Sequence, residues 1–339
     1  MSRADACAGI LWVGATFYAL FGGADFGGGL WDLVAGGAER GERPRALIQR
    51  SLTPVWEANH VWLIFILVVL WTAFPPAFSA VMTTLYVPLS LAAIGIVLRG
   101  SGFAFRKSIE GLGGKRAAGA TFAISSLLTP FFMGAVVGAV AAGNVPAGGE
   151  GPPFSSWLQP LPLLTGAMFV ATGAYLAAVF LVGDARRAGD VEMQSYFARR
   201  ALAAAAVAGV AAALGLVELH AETRYVFDRL VDQGLPLVIL SALCGLVVLA
   251  ILSAAAGRAA ALHPRLLRPL AAGAVVAVIW GWGVAQFPYL LPTSLKIGEA
   301  AAPSDTLATV IVVFLAAAVL VLPALGLLYW LSQRELLGE

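Results

Sequence analysis

Long apolar segments recur along almost the whole chain of 339 residues, and they constrain its fold more than any other feature. A helix needs about 20 predominantly apolar residues to cross the hydrocarbon core of a bilayer. The chain is 60% hydrophobic and only 12% charged, whereas soluble domains average about 25% charged residues. We therefore predict an all-α, polytopic integral membrane protein that forms a single transmembrane domain over 1–339. The nine predicted spans run roughly over 8–34, 54–74, 78–98, 118–142, 161–182, 200–219, 235–256, 266–288 and 307–331.

The basic residues are distributed unequally between the two sides that these spans define. Of the 21 Lys and Arg residues, 17 fall in the odd-numbered connections or the C-terminal tail, and 4 fall on the opposite side. Short cytoplasmic loops carry the excess of Lys and Arg in membrane proteins. The split therefore predicts an odd number of spans, an N-terminus outside and a C-terminus inside. The formal net charge is only +2, and we expect no nucleic-acid partner.

The two cysteines, Cys7 and Cys244, both lie in apolar surroundings. Their number and separation match neither a disulfide framework nor a cysteine metal site. Cysteine-ligated zinc and iron–sulfur clusters are therefore excluded, whereas haem is not, because His or Met can ligate its iron.

The start of the second span carries the densest set of polar groups inside an apolar run. With about 100° between successive helical residues, Trp56, Glu57 and His60 share one face, Asn59 flanks it, and Trp62 lies further round the same side. Such groups are costly to bury, which suggests a proton or ligand path. A structural interpretation stays open, in which the acid complements the helix N-terminus and the tryptophans anchor the span at the interface.

The predicted orientation places a second acid on the same membrane side. The first span runs inward and ends just after Asp25, which is surrounded by glycines, and the second span starts inside with Glu57. Both acids thus lie at adjacent ends of a helical hairpin, near the cytoplasmic leaflet. Proton uptake from the cytoplasm is one use for such a pair, and the alternative is that each side chain snorkels to water.

Four passages resemble subunit II of the cytochrome bd-type quinol oxidases. They are the glycine-rich Phe21–Leu30, the Trp-acid-x-Asn motif within Pro54–Ile64, the segment Leu98–Arg106, and Phe287–Pro292. The second passage is the most specific, and the resemblance extends over the whole chain.

Three positions depart from the family pattern. Gly22 stands where the family often has an acid, Ala104 stands where it often has Glu, and His60 can be Gln in relatives. A proton route cannot therefore be carried over from a relative acid by acid.

The resemblance implies two four-helix bundles plus one peripheral helix, in the cytoplasmic membrane of a bacterium or archaeon. It implies a partner, subunit I, that holds haems b and d and the quinol site, while this chain ligates no haem. The complex would oxidise quinol, reduce O₂ to water and take protons from the cytoplasm. Whether a structural quinone or a small accessory subunit is bound stays open.

The matching positions assign Asp25, Glu57 and His60 to the proton pathway and Trp62 to the oxygen route, with Trp56, Asn59, Arg99 and Arg106 as supporting motif residues.

Two other classes compete with this interpretation. Broken helices with buried acids are typical of secondary transporters, and Pro88, Pro130, Pro162 and Pro236 fall within spans or near their ends. A transporter should also show inverted halves with matched breaks, and the sequence has no such pattern. The other class is a purely structural subunit that buries the cofactors of its partner.

Overall fold

The computed structural model describes residues 2–52, 56–108, 112–257 and 266–333. This part of the chain is almost entirely helical and contains one short β-hairpin. In chain order the elements are α1 (Arg3–Phe17), a π-helical turn (Tyr18–Gly22), α2 (Gly23–Leu33), α3 (Ala38–Leu52), α4 (Trp56–Ala73), α5 (Pro75–Thr84), α6 (Tyr86–Ser108), α7 (Leu112–Ala141), α8 (Pro160–Arg187), α9 (Val191–Glu222), α10 (Arg224–Asp232), α11 (Leu235–Gly257), α12 (Leu267–Gln286), β1 (Tyr289–Leu291), β2 (Leu295–Lys296), α13 (Ile297–Ala300) and α14 (Ser304–Gln333).

The predicted class, an all-α polytopic membrane protein, is confirmed. In the described ranges, 7 helices are long and apolar enough to cross a membrane, or up to 8 when the bent pair α4 and α5 is taken as one span. The count of nine spans and their division into two four-helix bundles plus one helix stay predictions.

The predicted third span, 78–98, covers parts of two helices, α5 and α6, in place of one. The chain bends by 119° between α4 and α5, and a second break at Leu85 separates α5 from α6. The first break follows from Pro75, because a residue before proline is driven out of the helical region. Phe74 accordingly has φ −138° and ψ 59°.

Helix α8 lies at the centre of the packing and contacts α2, α7, α9 and α12. Its approach to α2 depends on two glycines that face each other. A Cβ atom on Gly27 would lie 2.0 Å from the carbonyl oxygen of Gly173, a distance that no side chain tolerates. Small residues allow this close packing of membrane helices. The contact fixes α2 in the interior of the protein, together with the residues just before Gly27.

Helix α3 lies against the connection between α8 and α9, on the membrane side where α2 ends. The Arg43 guanidinium forms an ion pair with Asp190 at 3.0 Å and a second one with Glu192. The pKa of Asp190 lies below its usual value, chiefly because the backbone N–H of Met193 donates a hydrogen bond to its carboxylate. This stabilisation is present above the unfolded-state pKa and is lost as the pH falls through the folded-state value. The basic helix is thus held against the folded chain.

The opposite membrane side is closed by contacts between the N-terminus and the segment that precedes α14. The Arg3 guanidinium donates to Ser304, and the backbone N–H of Ala302 donates to the carbonyl of Ala73 at 2.9 Å. The β-hairpin lies on this side as well, where Pro292 approaches Gly143. The two ends of the first span therefore face opposite sides of the membrane.

Candidate functional site

An acid lies deep in the protein just after the π-helical turn of the first span. Asp25, in the first turn of α2, is only 1% exposed, and its neighbours Ala24 and Phe26 are buried as well. The position follows from the glycine-mediated packing of α2 against α8. Burial of a carboxylate in such surroundings requires a compensating charge or hydrogen bonds.

Arg99 of α6 supplies that compensation. Its Nη2 atom lies 2.7 Å from Oδ1 of Asp25 and also donates to the Asp25 backbone carbonyl at 3.0 Å. Its Nη1 atom donates to the hydroxyl of Ser126 in α7, which in turn donates to the carbonyl of Phe122 at 2.6 Å. The guanidinium lies 4.9 Å from the ring centroid of Phe26 and 4.4 Å from that of Phe122. Three helices therefore enclose one ion pair between aromatic faces.

The space for this network depends on Gly29, one helical turn after Asp25. A Cβ atom at this position would lie 2.1 Å from the Ser126 hydroxyl oxygen and 3.0 Å from Nη1 of Arg99. The glycine-rich stretch that surrounds Asp25 thus has a packing reason, because it lets Arg99 approach the acid.

The start of α4 lies beside this ion pair, as the predicted hairpin requires. The ring of His60 lies 6.1 Å from that of Phe26 in an edge-on arrangement. A charge on the imidazole would also act on the Asp25 carboxylate. Trp62 is 9% exposed and stacks on Phe17 of α1 at 4.4 Å between ring centroids. The structure therefore brings His60 close to the neighbour of Asp25, whereas Trp62 packs against α1 further along the first span.

Four of the predicted residues have side chains outside the described part of the chain. Their backbone positions are known, with Trp56, Glu57 and Asn59 in the first turn of α4 and Arg106 in the last turns of α6. Proposals about these four rest on their place in the sequence.

A second buried acid, Asp32, escaped the sequence analysis. It is 5% exposed, and its Oδ1 atom lies 3.4 Å from Nε of Arg45 in α3. It follows Asp25 by seven residues, which places both acids on one face of α2, about 10 Å apart along the helix axis. The seven-residue spacing was available in the sequence, where Asp32 lies near the end of the predicted first span.

Within the described ranges, no group of three or more His, Cys, Asp or Glu residues could hold a metal ion. The expectation that haem iron is ligated by a partner subunit stays a prediction.

These features define a class: a multi-pass helical membrane protein with a charge-compensated acid buried between its helices. A family model, cytochrome bd terminal oxidase subunit II, matches residues 4–332. The chain therefore belongs to that family, as the sequence motifs predicted.

Individual relatives are more distant. The cytochrome bd ubiquinol oxidase subunit 2 of Bacillus subtilis (strain 168) is 28% identical over 125 residues, which are 37% of this chain and 35% of that protein. The cytochrome bd-I ubiquinol oxidase subunit 2 of Escherichia coli (strain K12) is 31% identical over 102 residues, 30% of this chain and 25% of that protein. The matched segments thus span about a third or less of these relatives.

The fold is shared over nearly the whole length. The chain superimposes on a chain of the bd oxidase from Geobacillus thermodenitrificans with a TM-score of 0.82, covering 98% of both chains at 24% sequence identity. At this level of sequence identity, the similarity shows that the two chains share a fold.

Proposed function

We propose that this chain is the subunit II of a quinol:O₂ oxidoreductase complex and supplies part of its proton uptake path. The observation that carries the proposal is the buried ion pair between Asp25 and Arg99, at the end of the first span. A polar group this deep in a membrane protein marks a functional site by default, because its burial is costly. Family membership gives the reaction to which the site belongs.

The proposed orientation has the N-terminus outside and the C-terminus inside. It rests on the excess of Arg and Lys on the side where α3 lies. In this orientation Asp32 lies at the cytoplasmic rim and Asp25 lies deeper in the membrane. Protons would reach Asp25 from Asp32 along the shared face of α2, and Glu57 and His60 would contribute from the start of α4.

The Asp25 carboxylate suits a relay because only Oδ1 has a hydrogen-bond partner among the described residues. Arg99 donates to Oδ1, whereas Oδ2 is buried and accepts no hydrogen bond from the described residues. Oδ2 can take up and release a proton while Oδ1 keeps its contact with the guanidinium. In the proposed complex the haems b and d and the quinol site belong to subunit I, and the electrons reach O₂ there. A structural quinone and an accessory subunit are left open.

Co-purification with the partner tests the proposed function directly. This chain, tagged and expressed together with subunit I, should yield a two-subunit complex with haem absorbance and quinol-dependent O₂ consumption. The same chain expressed alone should be colourless, because the proposal places every haem ligand in the partner. A stable, colourless monomer that never pairs with a haem-bearing subunit would instead favour the secondary transporter.

Trp62 is proposed to border the oxygen route. Its indole is nearly buried and stacks on Phe17, so it fills space at the start of α4. Trp62→Ala should change the apparent O₂ affinity of the complex and leave its haem content near normal. The change should be measured as O₂ consumption at limiting O₂, with Trp71→Ala, an exposed tryptophan at the other end of α4, as the control. Unchanged O₂ kinetics in the assembled Trp62 variant would contradict this role.

A further inference from the structure

Tyr18 is a partly buried residue whose hydroxyl the proton path described above does not use. It opens the π-helical turn and lies at the middle of the first span, Arg3–Leu33. Its hydroxyl oxygen is buried and forms no hydrogen bond with the described residues. Turns of this kind are rare and occur frequently at functional sites.

The Tyr18 ring lies against position 22 of its own turn. A Cβ atom on Gly22 would lie 2.9 Å from two ring carbons of Tyr18. The ring therefore occupies the volume that any side chain at position 22 would need. The ring lies against position 22, three residues before Asp25 on the same helical run, so the phenol extends toward the buried ion pair. The absence of a side chain at position 22 thus lets a phenol approach the buried ion pair.

Two buried polar atoms of complementary character consequently lie near the same ion pair. The phenol hydroxyl can donate and accept, and Oδ2 of Asp25 can accept when ionised and donate when protonated. Neither has a hydrogen-bond partner among the described residues. Buried polar groups in native proteins nearly always have a partner, which is often an ordered water molecule.

We infer that the Tyr18 hydroxyl and Oδ2 of Asp25 together bind one water molecule, which carries the proton from Asp25 toward the middle of the membrane. The inference rests on the proposed function. In the step, the Oδ2–H bond of protonated Asp25 breaks and a third O–H bond forms on the water. Asp25 returns to the carboxylate paired with Arg99, and no electron changes hands. Tyr18 acts as a positioning residue that orients the water and accepts a hydrogen bond from the hydronium ion.

The test uses Tyr18→Phe in the complex with subunit I, because phenylalanine keeps the ring and removes only the hydroxyl. We expect quinol-driven O₂ reduction to slow about tenfold, the factor typical of one lost hydrogen bond to a charged group. The solvent deuterium isotope effect should rise, and the haem spectrum should stay unchanged. The matched control is Tyr175→Phe in α8. Its hydroxyl is also buried with no hydrogen-bond partner in the described part of the chain, but it lies in the packed core of the α8 and α9 region. This variant should leave both the rate and the isotope effect unchanged.

Infrared difference spectroscopy separates a proton role from a packing role. The Asp25 carboxyl band, assigned by its loss in Asp25→Asn, should shift in Tyr18→Phe and stay in place in Tyr175→Phe. A normal rate, or a slower rate with an unmoved carboxyl band and isotope effect, would overturn the inference. If Asp25→Asn is slow while Tyr18→Phe is normal, only the inference fails. If both assembled variants are normal, the proposed function fails too.

A measurement on the unmodified complex tests the inference even if the Tyr18→Phe variant does not assemble. The unmodified complex should show a water O–H band that shifts in H₂¹⁸O and responds to the protonation of Asp25. A spectrum without such a band would contradict a water at this site.

Discussion

Asp25→Asn is expected to slow quinol-driven O₂ reduction by the assembled complex about 100-fold, at the lower end of what a positioned proton-transfer group contributes. Asparagine keeps the size of the side chain and an oxygen that can accept from Arg99. It removes the oxygen that can exchange a proton. The rate should be measured with an oxygen electrode and normalised to haem content, so that lost assembly is not taken for lost activity.

The chain offers a matched control for this substitution. Asp5 lies in the same span near the opposite membrane side, where it takes part in the N-terminal cap of α1. Asp5→Asn should leave the rate unchanged. Glu57→Gln should slow the reaction severely as well, if this acid belongs to the same path. An Asp25→Asn complex with full haem content and the wild-type rate would exclude the relay.

Arg99→Gln is expected to impair assembly more than any other substitution at the site. It leaves the Asp25 carboxylate buried without its compensating charge, which typically costs about 3–5 kcal/mol. The Ser126 hydroxyl also loses its donor, and the rings of Phe26 and Phe122 lose the guanidinium that lies between them. The expected result is a lower yield of complex and a lower thermal unfolding temperature in detergent.

A double variant distinguishes loss of charge balance from loss of packing. Asp25→Asn combined with Arg99→Gln should be more stable than Arg99→Gln alone, because neither charge is then buried unpaired. As a control, Arg43→Gln should change stability little, since its ion pairs lie on an exposed surface. A double variant no more stable than the single one would show that Asp25 and Arg99 are not energetically coupled.

Much of the fold could be predicted from the length of the apolar segments, because the bilayer fixes how long a span must be. The break between α4 and α5 also had a signal in the consecutive Pro75 and Pro76. The predicted spans 54–74 and 78–98 place a connection at this point, but hydropathy alone does not register the second break at Leu85. The π-helical turn at Tyr18 had no signal in the pattern of apolar residues.

The candidate site was only half predictable for a physical reason. The acid at Asp25 and the polar face of α4 could be found, since charged residues are rare in apolar runs. Arg99 was counted among the basic residues of a cytoplasmic connection, and the structure corrects this, because Arg99 lies within α6 and is 2% exposed. A charged residue near the end of a predicted span can lie within the membrane or in the adjacent loop. Its position depends on where its counter-charge lies, and here the packing of α2 against α6 decides that.

The most direct test of the account is the uptake of protons from the medium during a single turnover, followed with a pH indicator after reduced complex is mixed with O₂. In the wild-type complex, proton uptake should accompany O₂ reduction. In assembled Asp25→Asn, uptake should be delayed about 100-fold, in step with the slowed reaction. Proton uptake at the wild-type rate in this variant, at full haem content, would contradict a path through the buried acid of this chain.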